Sequence, residues 1–245
     1  MNDLYLDLMR KCILNTIYED RPMDTWHVGN DYSVKNRDQG LDWPSLAHSM
    51  IGNRRLLNIQ KLGKIVIEEK IEGDFIETGV WRGGACIFMR AILKAYDDKT
   101  RKVWVVDSFE GLPAPNVKKY PGDLGSTFHT VPELAVSLKQ VQANFAKYGL
   151  LDPQVKFLKG WFKDTLPTAP IAKLALLRLD GDMYESTMDS LTHLYPKLSK
   201  GGFIIIDDYG VLPICKKAVT DYRTKINSIE PIYPIDASGV YWRKA

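Results

Sequence analysis

Residues 73–84 read Gly73-Asp74-Phe75-Ile76-Glu77-Thr78-Gly79-Val80-Trp81-Arg82-Gly83-Gly84, and the helix-forming stretch Ala85–Tyr96 follows at once. A short apolar run ending in an acid, then a glycine-rich turn that opens a helix, is the pattern of the first βα unit in a nucleotide-binding sheet. Glycine lets the backbone turn sharply and approach a ligand with no Cβ in the way. A turn built for packing alone would use the same residues, so the decision rests on what surrounds it.

Outward from this stretch, toward the C-terminus, apolar runs alternate with helical stretches. Asp74–Thr78, Lys102–Asp107, Val155–Lys159, Leu174–Asp180 and Phe203–Asp207 each read as a buried parallel strand. Ala85–Tyr96, Pro132–Tyr148, Ser186–Leu198 and Pro213–Ile226 read as the helices between them. Strands separated by helices of this length imply βαβ units and a sheet covered on both faces. Pro231–Ile235 and Gly239–Trp242 are expected to close the sheet as an antiparallel hairpin.

Toward the N-terminus, Pro44–Ile71 reads as one or two helices with Ile59, Leu62, Ile65 and Val66 on the apolar face. Glu19–Trp43 is polar and irregular, and Leu4–Tyr18 has amphipathic helical spacing. The expected organisation is a helical cap over residues 1–72 on a single α/β unit over 73–245. One connection breaks the alternation. Glu110–Val131 holds three prolines and three glycines between a strand and a helix. So long a connection is a lid or a passive surface insertion, and its exit from the carboxyl end of a strand favours a lid over 110–131.

The ends of the strands carry the chemistry. Asp107 closes the second strand, where an acid can accept hydrogen bonds from both hydroxyls of an adenosine ribose. The glycines are spaced GxxxGG, unlike the GxGxxG of dinucleotide sites, and Glu77 precedes them. A carboxylate there would repel a pyrophosphate but favour the sulfonium and amino groups of S-adenosylmethionine. The fourth and fifth strands end in Asp180-Gly181-Asp182 and Asp207-Asp208. As sheet neighbours about 4.8 Å apart, they would gather carboxylates at one rim, and such a cluster calls for a positive partner. Asp180, Asp207 and Asp208 suit a hard divalent ion such as Mg2+, with no cysteine or histidine to suggest zinc. A sugar hydroxyl holds its proton far above neutral pH, and a bound dication lowers that affinity. The alternative makes these acids helix caps and ion-pair partners, and Asp182 fits that role before the helix expected from Ser186. His27 and His129 remain rival general bases.

Composition restricts the partners. A net charge of +3 spread over 245 residues gives no nucleic-acid track. Cys12, Cys86 and Cys215 form neither a CxxC pair nor a zinc spacing, which suits a reducing, cytoplasmic setting. The N-terminus is acidic from Asp3 and lacks the apolar core of a signal peptide. No run reaches the ~18 apolar residues of a spanning helix, so no membrane association is expected.

Taken together, YLDLMRKCILNTIYED, SMIGNRRLLNIQ, GDFIETGVWRGGACIFMRA, VWVVDSFEGLPAP, FLKGWFKDTLP, LALLRLDGDMYEST, LYPKLSKGGFIIIDDYG and SGVYWR resemble the macrocin O-methyltransferase family over nearly the whole chain. Members methylate deoxysugars of macrolide and aminocoumarin antibiotics. The resemblance implies the class I S-adenosylmethionine-dependent methyltransferase fold, Rossmann-like, with a mostly parallel seven-stranded sheet. It implies Mg2+ at Asp180, Asp207 and Asp208, with Asp180 also the general base. Cofactor contacts are implied at Glu77, Thr78, Gly79, Trp81, Arg82 and Gly84, at Asp107 and Ser108, at Gly160, Trp161 and Phe162 beside the adenine, and at Asp180. Met50 and Asn53 would cover the methionine end, and the lids would meet a second subunit in a homodimer. The implied acceptor is a small glycosylated molecule. Two other readings remain, a metal-dependent methyltransferase of catechol-like diols and a nicotinamide-dependent oxidoreductase, although the latter lacks a visible Tyr/Lys or His catalytic pair.

Overall fold

The computed structural model describes residues 2–23 and 29–245. In chain order the elements are α1 (Asn2–Ile13), α2 (Val34–Gln39), α3 (Gly52–Glu68), β1 (Asp74–Thr78), α4 (Gly84–Ala95), β2 (Val103–Asp107), α5 (Leu138–Lys147), β3 (Val155–Lys159), α6 (Phe162–Thr165), β4 (Leu174–Leu179), α7 (Tyr184–Leu194), β5 (Leu198–Ile206), α8 (Pro213–Lys225), β6 (Tyr233–Pro234) and β7 (Val240–Arg243). The strands form one sheet in the order β3-β2-β1-β4-β5-β7-β6. The first five run parallel, β7 pairs antiparallel with β5, and β6 pairs antiparallel with β7. Both the seven strands and the antiparallel end match the expected class I methyltransferase sheet.

Alternation along each strand explains why both faces are covered. Phe75, Val103, Val105, Leu176, Phe203 and Ile205 point into a core shared with α1, α3, α4 and α5. Their chain neighbours Ile76, Trp104, Val106, Leu177, Ile204 and Ile206 point into the opposite core with α7 and α8. Successive strand residues face opposite sides, so a strand buried on both must be apolar throughout. At the carboxyl ends this rule stops, and Glu77, Thr78, Arg178 and Asp207 are buried polar residues.

Several boundaries differ from the sequence reading. The first helix stops at Ile13 rather than Tyr18, with Asn15 in the left-handed region at φ 52°. The 44–71 stretch holds a single helix starting at Gly52, because the preceding residues run irregularly along the cap. The helix expected from Pro132 begins at Leu138, where the Ser137 side chain accepts from the Gln140 N–H as its N-cap. Residues 132–134 form only a 3-10 turn.

The cap is fastened by charge as well as apolar packing. Arg37, 1% exposed, lies between Asp20 at 2.8 Å and Asp42 at 2.8 Å, and donates to the Leu14 carbonyl at 2.6 Å. A buried guanidinium needs its carboxylates, since removing one partner strands the other charge away from water. The 110–131 segment is also tethered. It carries 3-10 turns at Pro121–Asp123 and Phe128–Thr130. The fully buried Asp123 carboxylate accepts from the N–H groups of Tyr184 at 2.7 Å and Glu185 at 3.0 Å. It thereby caps α7, whose own N-cap residue Met183 supplies no side-chain bond. The expectation that Asp182 caps this helix is therefore corrected, because a residue from a distant segment does so. Losing a cap of this kind costs about 0.5–2 kcal/mol, so Asp123→Ala should speed tryptic cleavage at the exposed Lys118 and Lys119 by about 2- to 30-fold. Unchanged cleavage would mean that Asp123 does not restrain the segment.

Candidate active site

A cavity of about 550 Å3 opens at the carboxyl ends of the parallel strands, beside the β1/β4 switch in strand order. Its walls divide by element. Gly79, Val80, Trp81, Asp107, Ser108, Trp161 and Phe162 sit at the carboxyl ends of β1, β2 and β3 or in the segments that follow them. Gly40, Leu41 and Trp43 from the cap, Val211 and Leu212 after β5, and Asp236–Ser238 before β7 form the other side. Leu112, Pro113, Phe128 and Leu134 from the long connection complete the enclosure.

The glycine-rich turn is positioned by close backbone contact. Gly79 has φ +81°, and a Cβ there would lie 1.7 Å from the Asp180 carbonyl oxygen. The Asp180 N–H in turn donates to the Thr78 carbonyl at 2.9 Å. Only glycine lets the β1 turn and the β4 exit meet this way. Asp107 accepts from the N–H groups of Val80 and Phe109, each at 2.7 Å, which aims its carboxylate along the rim. Burial pushes its carboxyl above the ordinary range despite those bonds. Trp81, at φ 47°, donates its indole N–H to the Glu133 carbonyl at 2.9 Å, tying the turn to the long connection.

The carboxylates meet as expected. β4 and β5 are parallel neighbours, and one oxygen from each of Asp180, Asp207 and Asp208 lies within 4.8 Å of the others. Burial, then Asp207, raises the Asp180 carboxyl to about 6. Burial and the neighbouring acids raise Asp182 to about 8 and Asp208 well above its ordinary value. Asp208 Oδ2 is buried without a hydrogen-bond partner. Part of the positive charge that this cluster requires comes from two arginines that the sequence alone does not place at this rim. Arg178, fully buried on β4, donates to Glu77, Asp207 and, at 2.8 Å, Asp180. Arg55 from α3 donates to the other oxygen of Asp207. A lone arginine within the apolar LALLRLD run was the available signal for Arg178, since a buried guanidinium must find carboxylates.

Glu77 lines the cavity, pairs with Arg178 and accepts from the Cys86 thiol at 3.0 Å. Burial raises its carboxyl to about 7. Met50, Ser108, Trp161 and Phe162 reach the cavity. Thr78, Arg82, Gly84, Gly160 and Asn53 are not among the lining residues. Thr78 accepts from Ser190 Oγ, Arg82 donates to the Pro44 and Ala47 carbonyls, Gly84 donates to the His48 carbonyl, and Asn53 donates to Asp38. Gly160 takes φ +139° just after β3. Of the candidate histidines, His129 is exposed and off the cavity wall, and His27 lies outside the described residues. His48, not singled out from sequence, lines the cavity instead. Its Nδ1 lies 2.7 Å from the Tyr148 hydroxyl, and burial lowers its imidazole to about 4, leaving it neutral near pH 7.

The sequence profile of the macrocin-O-methyltransferase (TylF) family matches residues 2–244. The chain is 52% identical over 242 residues to 8-demethyl-8-(2,3-dimethoxy-alpha-L-rhamnosyl)-tetracenomycin-C 4'-O-methyltransferase of Streptomyces olivaceus, covering 98% of this chain and 92% of that protein. It is 50% identical over 247 residues to mycinamicin III 3''-O-methyltransferase of Micromonospora griseorubida, covering 99% and 97% respectively. The solved structure of the O-methyltransferase NovP superposes with a TM-score of 0.96 at 51% identity over 100% of both chains. The fold alone is shared with TomG from Streptomyces achromogenes, solved with S-adenosylmethionine, at a TM-score of 0.52 and 12% identity.

Proposed function

The chain belongs to the macrocin O-methyltransferase family and is an S-adenosylmethionine-dependent O-methyltransferase; on that premise we propose that it methylates a sugar hydroxyl of a glycosylated natural product with a divalent metal at Asp180, Asp207 and Asp208. The observation that carries this reading is the meeting of three carboxylates beside the glycine-rich turn in one cavity. The donors are all hard oxygens, burial and crowding raise the Asp180 and Asp208 carboxyls, and Asp208 holds an unpartnered buried oxygen, so the residues fit Mg2+. Such an ion, when bound, lowers the proton affinity of a hydroxyl laid against it.

The chain's own residues do the rest. Asp107 receives the ribose hydroxyls, with its carboxylate aimed by Val80 and Phe109. Glu77 faces the amino and sulfonium end of the cofactor, its charge moderated by Arg178. Trp161 and Phe162 flank the adenine, and Met50 covers the methionine end. Asp180 takes the proton from the acceptor hydroxyl, held for that task by Arg178 and by the contact with Gly79. Residues 1–72 and 110–131 act as cap and lid on the body formed by 73–245, and Phe128 and Leu134 keep water from the reacting atoms.

The test is incubation with S-adenosylmethionine and panels of deoxysugar glycosides, free sugars and catechols, with products located by mass spectrometry and NMR. Methylation of a sugar hydroxyl is expected, and turnover confined to catechols would overturn the reading. The ribose assignment has its own measurement. Losing charge-assisted contacts to two hydroxyls should cost about 1.5–3 kcal/mol, so Asp107→Ala should weaken S-adenosylhomocysteine binding in calorimetry by roughly 10- to 150-fold. Wild-type affinity in that variant would remove Asp107 from the ribose.

No helix among the described residues is long and apolar enough to cross a membrane.

A further inference from the structure

Arg55 is 6% exposed and stands where three walls of the acceptor side meet. Its guanidinium donates to Asp207 just after β5, ion-pairs with Asp236 at 3.1 Å before β7, and reaches the Gly40 carbonyl at 3.4 Å after α2. The same walls are joined behind it. Asp236 Oδ1 accepts from the N–H groups of Ser238 at 2.9 Å and Gly239 at 2.7 Å, while Ser238 Oγ donates to the Asp207 carbonyl at 2.7 Å. Arg55, Asp236, Ser238 and Asp207 thus close a ring, with Gly40 as the arm that reaches the cap. At Gly40, φ is +64° and a Cβ would lie 2.6 Å from the Arg55 guanidinium, so the backbone approaches as closely as glycine allows. Asp207 follows β5 and Asp236 precedes β7, whereas Asp107 ends β2 and Trp161 follows β3, on the other side of β1 and β4 in the strand order.

We propose that Arg55 is a positioning residue for the acceptor, one buried guanidinium clamping the 36–42, 207–212 and 235–239 walls into a single surface. The claim rests on the sugar-methyltransferase reading for what the surface holds, but not for the clamp itself. Arginine suits the role because its planar fork offers donors in three directions, whereas lysine is a point charge that cannot span the same partners.

Arg55→Lys and Asp236→Asn test it together. Asparagine keeps the Oδ1 acceptor for Ser238 and Gly239 while dropping the charge that faces Arg55. Hydrogen–deuterium exchange of the ligand-free protein should quicken in both 36–42 and 235–239 in each variant, with β1–β4 unchanged. Loosening of 36–42 by Asp236→Asn is the decisive signal, because the Arg55 guanidinium contacts both segments, Gly40 in one and Asp236 in the other. Arg55→Lys should raise the acceptor KM about 10–100-fold, as small misplacements do, while S-adenosylhomocysteine affinity stays within about twofold. Should Arg55→Lys fail to fold, Asp236→Asn decides alone. Exchange in 36–42 that stays at the wild-type rate in Asp236→Asn would overturn the clamp, as would cofactor affinity falling in step with the acceptor KM. An inactive wild type on every glycoside would overturn the functional reading, with the exchange pattern still judging the clamp.

Discussion

Replacing Asp180 by Asn should lower kcat by about 10²–10⁴-fold while S-adenosylhomocysteine binding stays within about tenfold of wild type. The substitution preserves shape, so the backbone contact between Asp180 and Gly79 survives and the cofactor turn keeps its place. What disappears is the group able to take a proton, together with a charge facing Arg178. The side chain is 24% exposed, the most accessible of the acids paired with Arg178, which suits a residue that must reach a substrate. Steady-state kinetics at saturating acceptor, paired with calorimetry, separates the two effects. A variant keeping more than about a tenth of wild-type kcat would be incompatible with Asp180 as the base.

Exhaustive chelation should abolish turnover, by about three orders of magnitude or more, and added Mg2+ should restore it. S-Adenosylhomocysteine should bind throughout, because the Asp107 and Trp161 side of the cavity does not depend on the acidic cluster. Asp207→Asn should raise the Mg2+ concentration needed for half-maximal rate rather than remove activity outright, since Asp180 and Asp208 remain. That variant also leaves Arg55 and Arg178 short of a carboxylate, so some loss of thermal stability should accompany it. Full activity in EDTA would refute the metal and leave the protein's own arginines as the only counter-charge to the cluster among the described residues.

The parts of the fold that obey short-range rules were legible. Five strands could be read because burial on both faces demands continuous apolar runs, and the acids at their carboxyl ends line the cavity. The carboxylate cluster followed from adjacency of β4 and β5. The rest depends on pairings between distant segments, which no local pattern encodes. The cap hangs on Arg37 between Asp20 and Asp42, three residues that read as loop polarity until they are folded together. The start of α7 is capped by Asp123 from a different segment, so the neighbouring Asp182 was credited with that role. Arg55 sat within an ordinary amphipathic helix and gave no sign that it reaches across to β5 and the 235–239 turn. Met50 and Asn53 were grouped together, yet only Met50 reaches the cavity, because Asn53 is turned toward Asp38.

The division of the cavity between strand-end turns on one side and connecting segments on the other bears on how such enzymes diversify. The strand-end side is locked to the sheet by contacts such as that of Gly79 with Asp180, where a single added methyl group collides with backbone. Leu41 and Val211 lie outside the strands and both core clusters and line the opposite wall. Mutational drift there changes the shape offered to an incoming molecule without touching the pairing register or either core. Two relatives that each cover nearly all of this chain carry names with different positions of methylation, 4' in one and 3'' in the other. On the proposed assignment of the walls, a scaffold of this design explores new acceptors one wall residue at a time and inherits its methyl-donor chemistry unaltered.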